Sequence, residues 1–275
     1  MTVPFENDTG NIVRKLARKS LKSEKRRNLM VVIAVALASC LICFSIVMAL
    51  STRQIEKNHV EDTYEAVYTR ITEEDVSTLK GLDDFSRVGE YYMLAVEPAE
   101  QGYNASYIYC DEETMYIARD QMKLLEGRLP QKEDEVVVSR YFLSNYAADA
   151  GIGEKVMLSS ESFHGEYTVT GIMEGYKEKE VNGSSILLSK EALKGWSGYD
   201  PADYRAYVHF KNEQQMDETE LTARSREIAK EYQLEMPIMN LSYMKFYKQP
   251  VNVSMLALVA GIAVLVIIGG YVVIQ

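Results

Sequence analysis

Two uninterrupted apolar runs constrain this 275-residue chain more than any other feature. Residues 29–50 read LMVVIAVALASCLICFSIVMAL and residues 253–274 read VSMLALVAGIAVLVIIGGYVVI, both without a charged side chain. A helix of that length rises about 33 Å at about 1.5 Å per residue, enough for a hydrocarbon core of roughly 30 Å. A cleaved leader is the other reading of the first run. A leader's apolar stretch is about 7–15 residues and ends at a small-residue site, whereas this run is longer and continues into Ser51-Thr52-Arg53. Two transmembrane α-helices are therefore expected, at 29–50 and 253–274, with residues 1–28 on one side of the membrane and residues 51–252 on the other.

Charge gives the orientation, because Lys and Arg beside a span are retained in the cytoplasm. Arg14, Lys15, Arg18, Lys19, Lys22, Lys25, Arg26 and Arg27 precede the first run against Glu6, Asp8 and Glu24. Of 30 Lys and Arg and 40 Asp and Glu in the chain, 22 cations and 37 carboxylates remain, all between the runs. The expectation is a multi-pass protein of the plasma membrane with a cytoplasmic N-terminus and an acidic domain outside. So acidic a domain argues against a nucleic-acid partner.

Within residues 9–27, Ile12, Val13, Leu16, Ala17 and Leu21 share one stripe and the cations the other, with Thr9 placed to cap the helix. Such a helix lies on the inner leaflet, each cation gaining about 1 kcal/mol from anionic headgroups, or faces a cytoplasmic partner.

The outer region mixes strand and helix signals. Strands are expected at 64–71, 87–96, 106–110, 114–118, 135–138, 155–158, 167–173, 186–188, 204–210 and 235–240. Helices are expected after the capping box Thr72-Glu73-Glu74-Asp75 and over 140–150, 189–193 and 217–232. Asp111-Glu112-Glu113 and Gly151-Ile152-Gly153 read as turns. The class is α+β, with two α+β sections bracketing a β-rich insert. Tyr243, Phe246 and Tyr247 suit an aromatic belt at the outer interface, with Lys245 and Lys248 snorkelling.

Catalytic chemistry is not legible. There is no G-x-x-x-x-G-K-[ST] loop and no G-x-S-x-G elbow, and His59, His164 and His209 lie far apart. Cys40 and Cys43 fall inside the first run, Cys110 stands alone, and Glu133-Asp134-Glu135 reads as a solvated turn. N-x-S triplets start at Asn104, Asn182, Asn240 and Asn252. No catalytic residue, cofactor or metal is expected. In the second run Gly269-Gly270, and Ala257 four residues before Gly261, are small-residue contacts suited to helix pairing, including with a second copy of the chain or another subunit.

The run N-I-V-R-K-L-A-R-K-S-L-K from Asn11, then Arg26-Arg27-Asn28 and the first apolar run, resembles the start of FtsX/MacB-type ABC transporter permeases. Four pieces follow in order and resemble that family's extracytoplasmic core domain: E-G-R-L-P from Glu126, E-V-V-V-S from Glu135, G-I-G-E-K-V from Gly151, and Y-T-V-T-G-I from Tyr167. The resemblance implies a two-lobed, MacB-like α+β domain with the four pieces in the smaller lobe. It also implies a cytoplasmic ABC ATPase in trans near the basic helix, and action on a peptide, lipoprotein or other amphiphile. Family members have at least four spans, so a chain stopping at Gln275 is expected to be a truncated permease or the N-terminal part of one. The competing reading is the sensor half of a transmembrane signal receptor, which shares the order of span, outer domain and span.

Overall fold

A computed structural model describes residues 9–23, 25–175, 178–248 and 261–262. The chain divides into two compact units, Met1–Ile55 with Pro250–Gln275, and Glu56–Gln249.

In the first unit, α1 (Thr9–Ser23) begins at Thr9 itself, so the helix takes in the expected cap, and it ends short of residue 27. Its stripe of Ile12, Val13 and Leu16 is about 60% exposed. The following helix, α2 (Lys25–Val60), contains the first apolar run and continues past it. Its stretch Val35–Val60 is long and apolar enough to cross a membrane. Ser39 and Ser45 return their hydroxyl protons to the carbonyls of Val35 and Leu41, both at 2.8 Å, so neither hydroxyl is left unpaired on the apolar helix. Of the second run, only Gly261 and Ile262 are described, both helical. Ala257, Gly269 and Gly270 lie outside the described residues. Among the described residues outside its own helical turn, no atom lies within 4 Å of the place a Cβ would take on Gly261.

The second unit is built from β1 (Ala66–Ile71), α3 (Glu73–Lys80), β2 (Phe85–Pro98), β3 (Asn104–Cys110), α4 (Glu112–Ile117), β4 (Met122–Gly127), β5 (Glu135–Ser139), α5 (Arg140–Tyr146), β6 (Lys155–Ser159), β7 (His164–Gly175), α6 (Glu178–Val181), β8 (Gly183–Leu188), α7 (Lys190–Gly195), β9 (Tyr204–Phe210), α8 (Glu218–Glu231), β10 (Ile238–Met239) and α9 (Leu241–Tyr243). The strands make one mixed sheet in the order β10-β1-β9-β2-β3-β8-β5-β7-β4, with β6 also on β7. The bracketing sections supply one half and the insert the other. They join at β3 and β8, which run parallel from Asn104↔Gly183 to Ile108↔Leu187.

Each sheet face has its own core. Tyr68, Tyr92, Phe142, Leu221 and Tyr243 lie on one side, and Tyr64, Val67, Ile108, Met115 and Tyr207 on the other. Rings at neighbouring positions meet edge to face, as in Phe85–Phe210 at 4.9 Å and Tyr92–Tyr204 at 5.1 Å.

Cap chemistry overrode β propensity at one point. Residues 114–117 of the expected strand 114–118 belong to α4 and Ala118 is its C-cap, because Asp111 accepts the Thr114 amide as an N-cap and Glu112 and Glu113 fill the first turn. The expected strand 235–240 reduces to the two residues of β10, and Pro237 immediately before them offers no N–H to the ladder. The expected helix 140–150 stops at Tyr146, and β4 is a strand that the sequence pattern did not indicate.

The four motif pieces meet where β4, β5, β6 and β7 converge. Arg128 N–H donates to the Thr170 carbonyl at 3.0 Å, and Gly153 N–H to that of Val169 at 2.8 Å. Gly127 has φ +81°, and a Cβ there would collide with the Thr170 carbonyl oxygen. Arg128 grips both oxygens of Glu135, at 2.8 and 2.7 Å, while Gln131 N–H donates at 2.9 Å. The guanidinium and that amide hold the Glu135 carboxyl at about 2, well below the usual range. Gly127→Ala is therefore expected to cost about 3 kcal/mol in urea-induced unfolding, from left-handed strain and overpacking together. An unchanged unfolding midpoint would show that the strand crossing is not tight.

Candidate functional site

The chain enters the second unit along the last turn of α2 and leaves it through a π turn at Met244–Lys248. Both passages are tied to one buried polar network. Thr63 closes the end of α2 by donating its amide and hydroxyl to the Val60 carbonyl, at 3.2 and 2.7 Å.

Two residues further on, the fully buried Glu65 pairs Oε1 with His209 Nδ1 at 2.7 Å and accepts the Phe210 amide on Oε2 at 2.8 Å. His209 Nδ1 also lies 3.0 Å from the Thr63 carbonyl oxygen, so it faces two acceptors and carries a proton. Burial works against the imidazolium, but the Glu65 carboxylate outweighs it, and the His209 pKa is raised. Burial likewise raises the Glu65 carboxyl above its ordinary value.

From Glu65 the network passes to the outgoing chain. The Asn240 amide donates to the Glu65 carbonyl at 2.8 Å, its Nδ2 donates to the Tyr64 carbonyl at 3.0 Å, and its Oδ1 accepts the Tyr243 amide at 3.1 Å. Tyr243 Oη then donates to Glu213 Oε2 at 2.7 Å, and Lys248 Nζ reaches the same oxygen at 3.0 Å and also the Glu213 carbonyl. The Glu213 and Lys248 side chains are each only 7% exposed. Tyr247 stacks on Tyr243 at 5.1 Å, and Lys57 on the incoming helix sits 5.0 Å from the Tyr247 ring centre.

The expected aromatic belt is thus corrected in part. Tyr243 is fully buried and Lys248 is held by Glu213, so neither is free for the membrane interface. Glu65, His209 and Glu213 did not stand out in the sequence. The available signal was an ionisable residue inside a strand-like apolar stretch, as with Glu65 before Ala66-Val67 and His209 between Val208 and Phe210.

A second cluster crosses the join between the two halves of the sheet. Lys190 of α7 bridges Glu73 of α3 at 2.7 Å and Glu90 of β2 at 2.6 Å, and Lys194 adds a 3.0 Å contact to Glu73. Lys80 continues the chain of charge to Asp111 at 2.9 Å. Each of these lysines serves carboxylates from other elements, so the helices over the join are cross-braced.

Of the basic residues singled out in the sequence, Arg14, Lys15 and Lys19 lie exposed on α1 and Lys25 exposed at the start of α2. The side chains of Arg18, Lys22, Arg26 and Arg27 lie outside the described residues. Cys110 is buried and burial pushes its thiol up, so it is not a reactive cysteine.

A mixed α/β domain that hangs by both ends from one braced foot, behind a helix able to cross a membrane, defines a class of membrane-anchored outer domain. The family model of the MacB-like periplasmic core domain matches residues 29–226. The chain belongs to that family, and with it to the FtsX/MacB-type ABC transporter permeases. No curated protein matches the chain. Among solved structures, the extracellular domain of the noncanonic ABC-type transporter YknZ from Gram-positive bacteria is 15% identical with a TM-score of 0.46, covering 65% of this chain and 100% of that one. A permease-protein domain from Porphyromonas gingivalis is 15% identical at 0.45, covering 71% and 96%. The periplasmic region of MacB from Actinobacillus actinomycetemcomitans is 11% identical at 0.46, covering 67% and 91%.

Two outcomes follow from the network. Lys248→Met leaves Glu213 buried with its cation gone and is expected to cost about 3 kcal/mol of unfolding free energy, while Glu213→Gln with Lys248→Met recovers much of it. A double variant as unstable as the single one would deny the pairing. Glu65 and His209 both bind their protons more tightly folded than unfolded. The stability His209 contributes is complete below its unfolded pKa of about 6.5 and lost as pH rises through its higher folded value. The urea midpoint should therefore fall on the alkaline side of neutrality, and fall less in His209→Gln.

Proposed function

We propose that this chain is the membrane-spanning permease component of an ABC transporter. It crosses the bilayer at 29–50 and 253–274, with its N-terminus in the cytoplasm and its acidic domain outside. A separate cytoplasmic ATPase supplies the energy, and the chain converts that ATPase's closure into movement of the outer domain. The domain acts on a peptide, lipoprotein or other amphiphile.

The observation that carries this reading is the shared foot. The incoming helix and the outgoing turn meet Tyr243, Tyr247, Glu213 and Asn240, and through them the buried Glu65–His209 pair of the sheet. A displacement of either passage is resisted by buried ionic hydrogen bonds, so it is delivered to the sheet. The basic face of Arg14, Lys15, Arg18, Lys19, Lys22, Lys25, Arg26 and Arg27 serves the ATPase and the inner leaflet. Ala257, Gly261, Gly269 and Gly270 give the second span a face for a second copy or subunit.

The test is co-purification from membranes with any ABC ATPase subunit encoded nearby. Reversing Arg14, Lys15 and Lys19 to Glu, with the cations nearest the span kept, is expected to lower the recovered ATPase about tenfold while carbonate-resistant membrane insertion is unchanged. Undiminished recovery would remove α1 from the ATPase interface. Failure of the unmodified chain to bring down any ATPase would remove the permease reading.

A further inference from the structure

We propose that a recess at the foot of the outer domain binds the headgroup of a zwitterionic aminophospholipid, a phosphodiester joined to an ammonium, from the leaflet facing the domain. This rests on the proposed two-span topology and adds a ligand to it. The recess has a volume of about 480 Å³ and is lined by Lys57, Gln214, Gln215, Met216, Asp217, Tyr247 and Lys248. It is an open site, as a headgroup still attached to its lipid requires.

Its two cations differ in availability. Lys248 is committed to Glu213, whereas the described contact of the Lys57 ammonium is the face of Tyr247 at 5.0 Å. A ring face neutralises no charge, so Lys57 retains its full attraction for a phosphodiester oxygen. The side-chain amides of the exposed Gln214 and Gln215 add neutral donors beside it. On the same rim, Asp217 uses Oδ1 to cap α8, 2.9 Å from the Glu220 amide, which leaves Oδ2 for an ammonium. One available cation and one available carboxylate suit a ligand that carries both charges, and disfavour one that carries only the negative charge.

Position agrees with this charge pattern. Lys57 lies two helical turns, about 10 Å, beyond the end of the first apolar run along α2. Lys248 lies five residues before Val253, where the second run begins. With both runs in the bilayer, the few residues that separate Lys57 and Lys248 from them along the chain keep the recess within reach of the headgroups. A headgroup there touches the incoming helix at Lys57 and the outgoing turn at Tyr247 at once, so the lipid becomes a third member of the joint.

The experiment is native mass spectrometry of the full chain in detergent with equimolar phosphatidylethanolamine, phosphatidylcholine and phosphatidylglycerol. The expected result is one phosphatidylethanolamine retained about fivefold over phosphatidylglycerol. That preference is lost in Lys57→Gln and in Asp217→Asn, which keeps the helix cap. Soluble glycerophosphoethanolamine is expected to displace the lipid where inorganic phosphate does not. Equal retention of all three lipids, a preference unchanged in both variants, or displacement by phosphate alone would each overturn the proposal. The topology is read separately, from labelling of Gln214→Cys by an impermeant maleimide on intact cells. An unlabelled cysteine there sinks the two-span reading, and a labelled one with no lipid preference sinks only the headgroup site.

Discussion

The carboxylate of Glu65 sits at the first strand of the outer domain with no exposed surface at all, and burying it would cost several kcal/mol unless every lone pair found a donor. The partners it finds are His209 and the Phe210 amide, both contributed by β9, some 144 residues further along the chain. Its main-chain carbonyl meanwhile holds Asn240, from the end of the domain. The beginning, the late strand and the exit are therefore fixed to one another by a single residue that cannot be left unpaired. The edge strand β10, only two residues long, is held against β1 by the bond of the Asn240 amide to that carbonyl together with that of Asn240 Nδ2 to the Tyr64 carbonyl.

A second constraint acts where the halves of the sheet meet. The parallel pairing of β3 with β8 is a long-range contact without a hairpin to set its register. The bridging of Glu73 and Glu90 by Lys190 lies over this join. It places one ammonium between carboxylates of α3 and β2 immediately after β8 ends, so the insert is pinned to the bracketing sections at the point where pairing alone is weakest. The two halves of the sheet are thereby held as one packed body.

Much of this was legible from residues with a local job. Thr72 and Asp75 form the capping box that their spacing indicates, and the strands over 204–210 and 167–173 follow their alternation. Other residues misled because one pattern serves two physical ends. Asp111-Glu112-Glu113 fits a hairpin turn or a cap with an acidic first turn, and the Thr114 amide decided for the cap. Aromatic residues and lysines ahead of an apolar run fit a membrane belt, but Glu213, some 30 residues earlier in the chain, draws Tyr243 and Lys248 inward. No local reading could find that carboxylate, because its value lies entirely in tertiary partners. β4 was missed for a similar reason: Met122 is buried while Lys123, Glu126 and Gly127 are exposed, so its edge position hides the alternation.

The motifs that reveal the family and the residues that form the joint are different sets, and the difference has a physical cause. Gly127, Gly171 and Arg128 answer to backbone crossings and to one carboxylate within this strand arrangement. They specify how β4, β5 and β7 pack and touch no candidate ligand. Glu213, Lys248, Lys57 and Tyr247 answer instead to how the domain is hung from its two passages and to what lies beside them. The foot can be altered without disturbing those strand crossings, so the scaffold answers to the first set of residues and the hanging of the domain to the second.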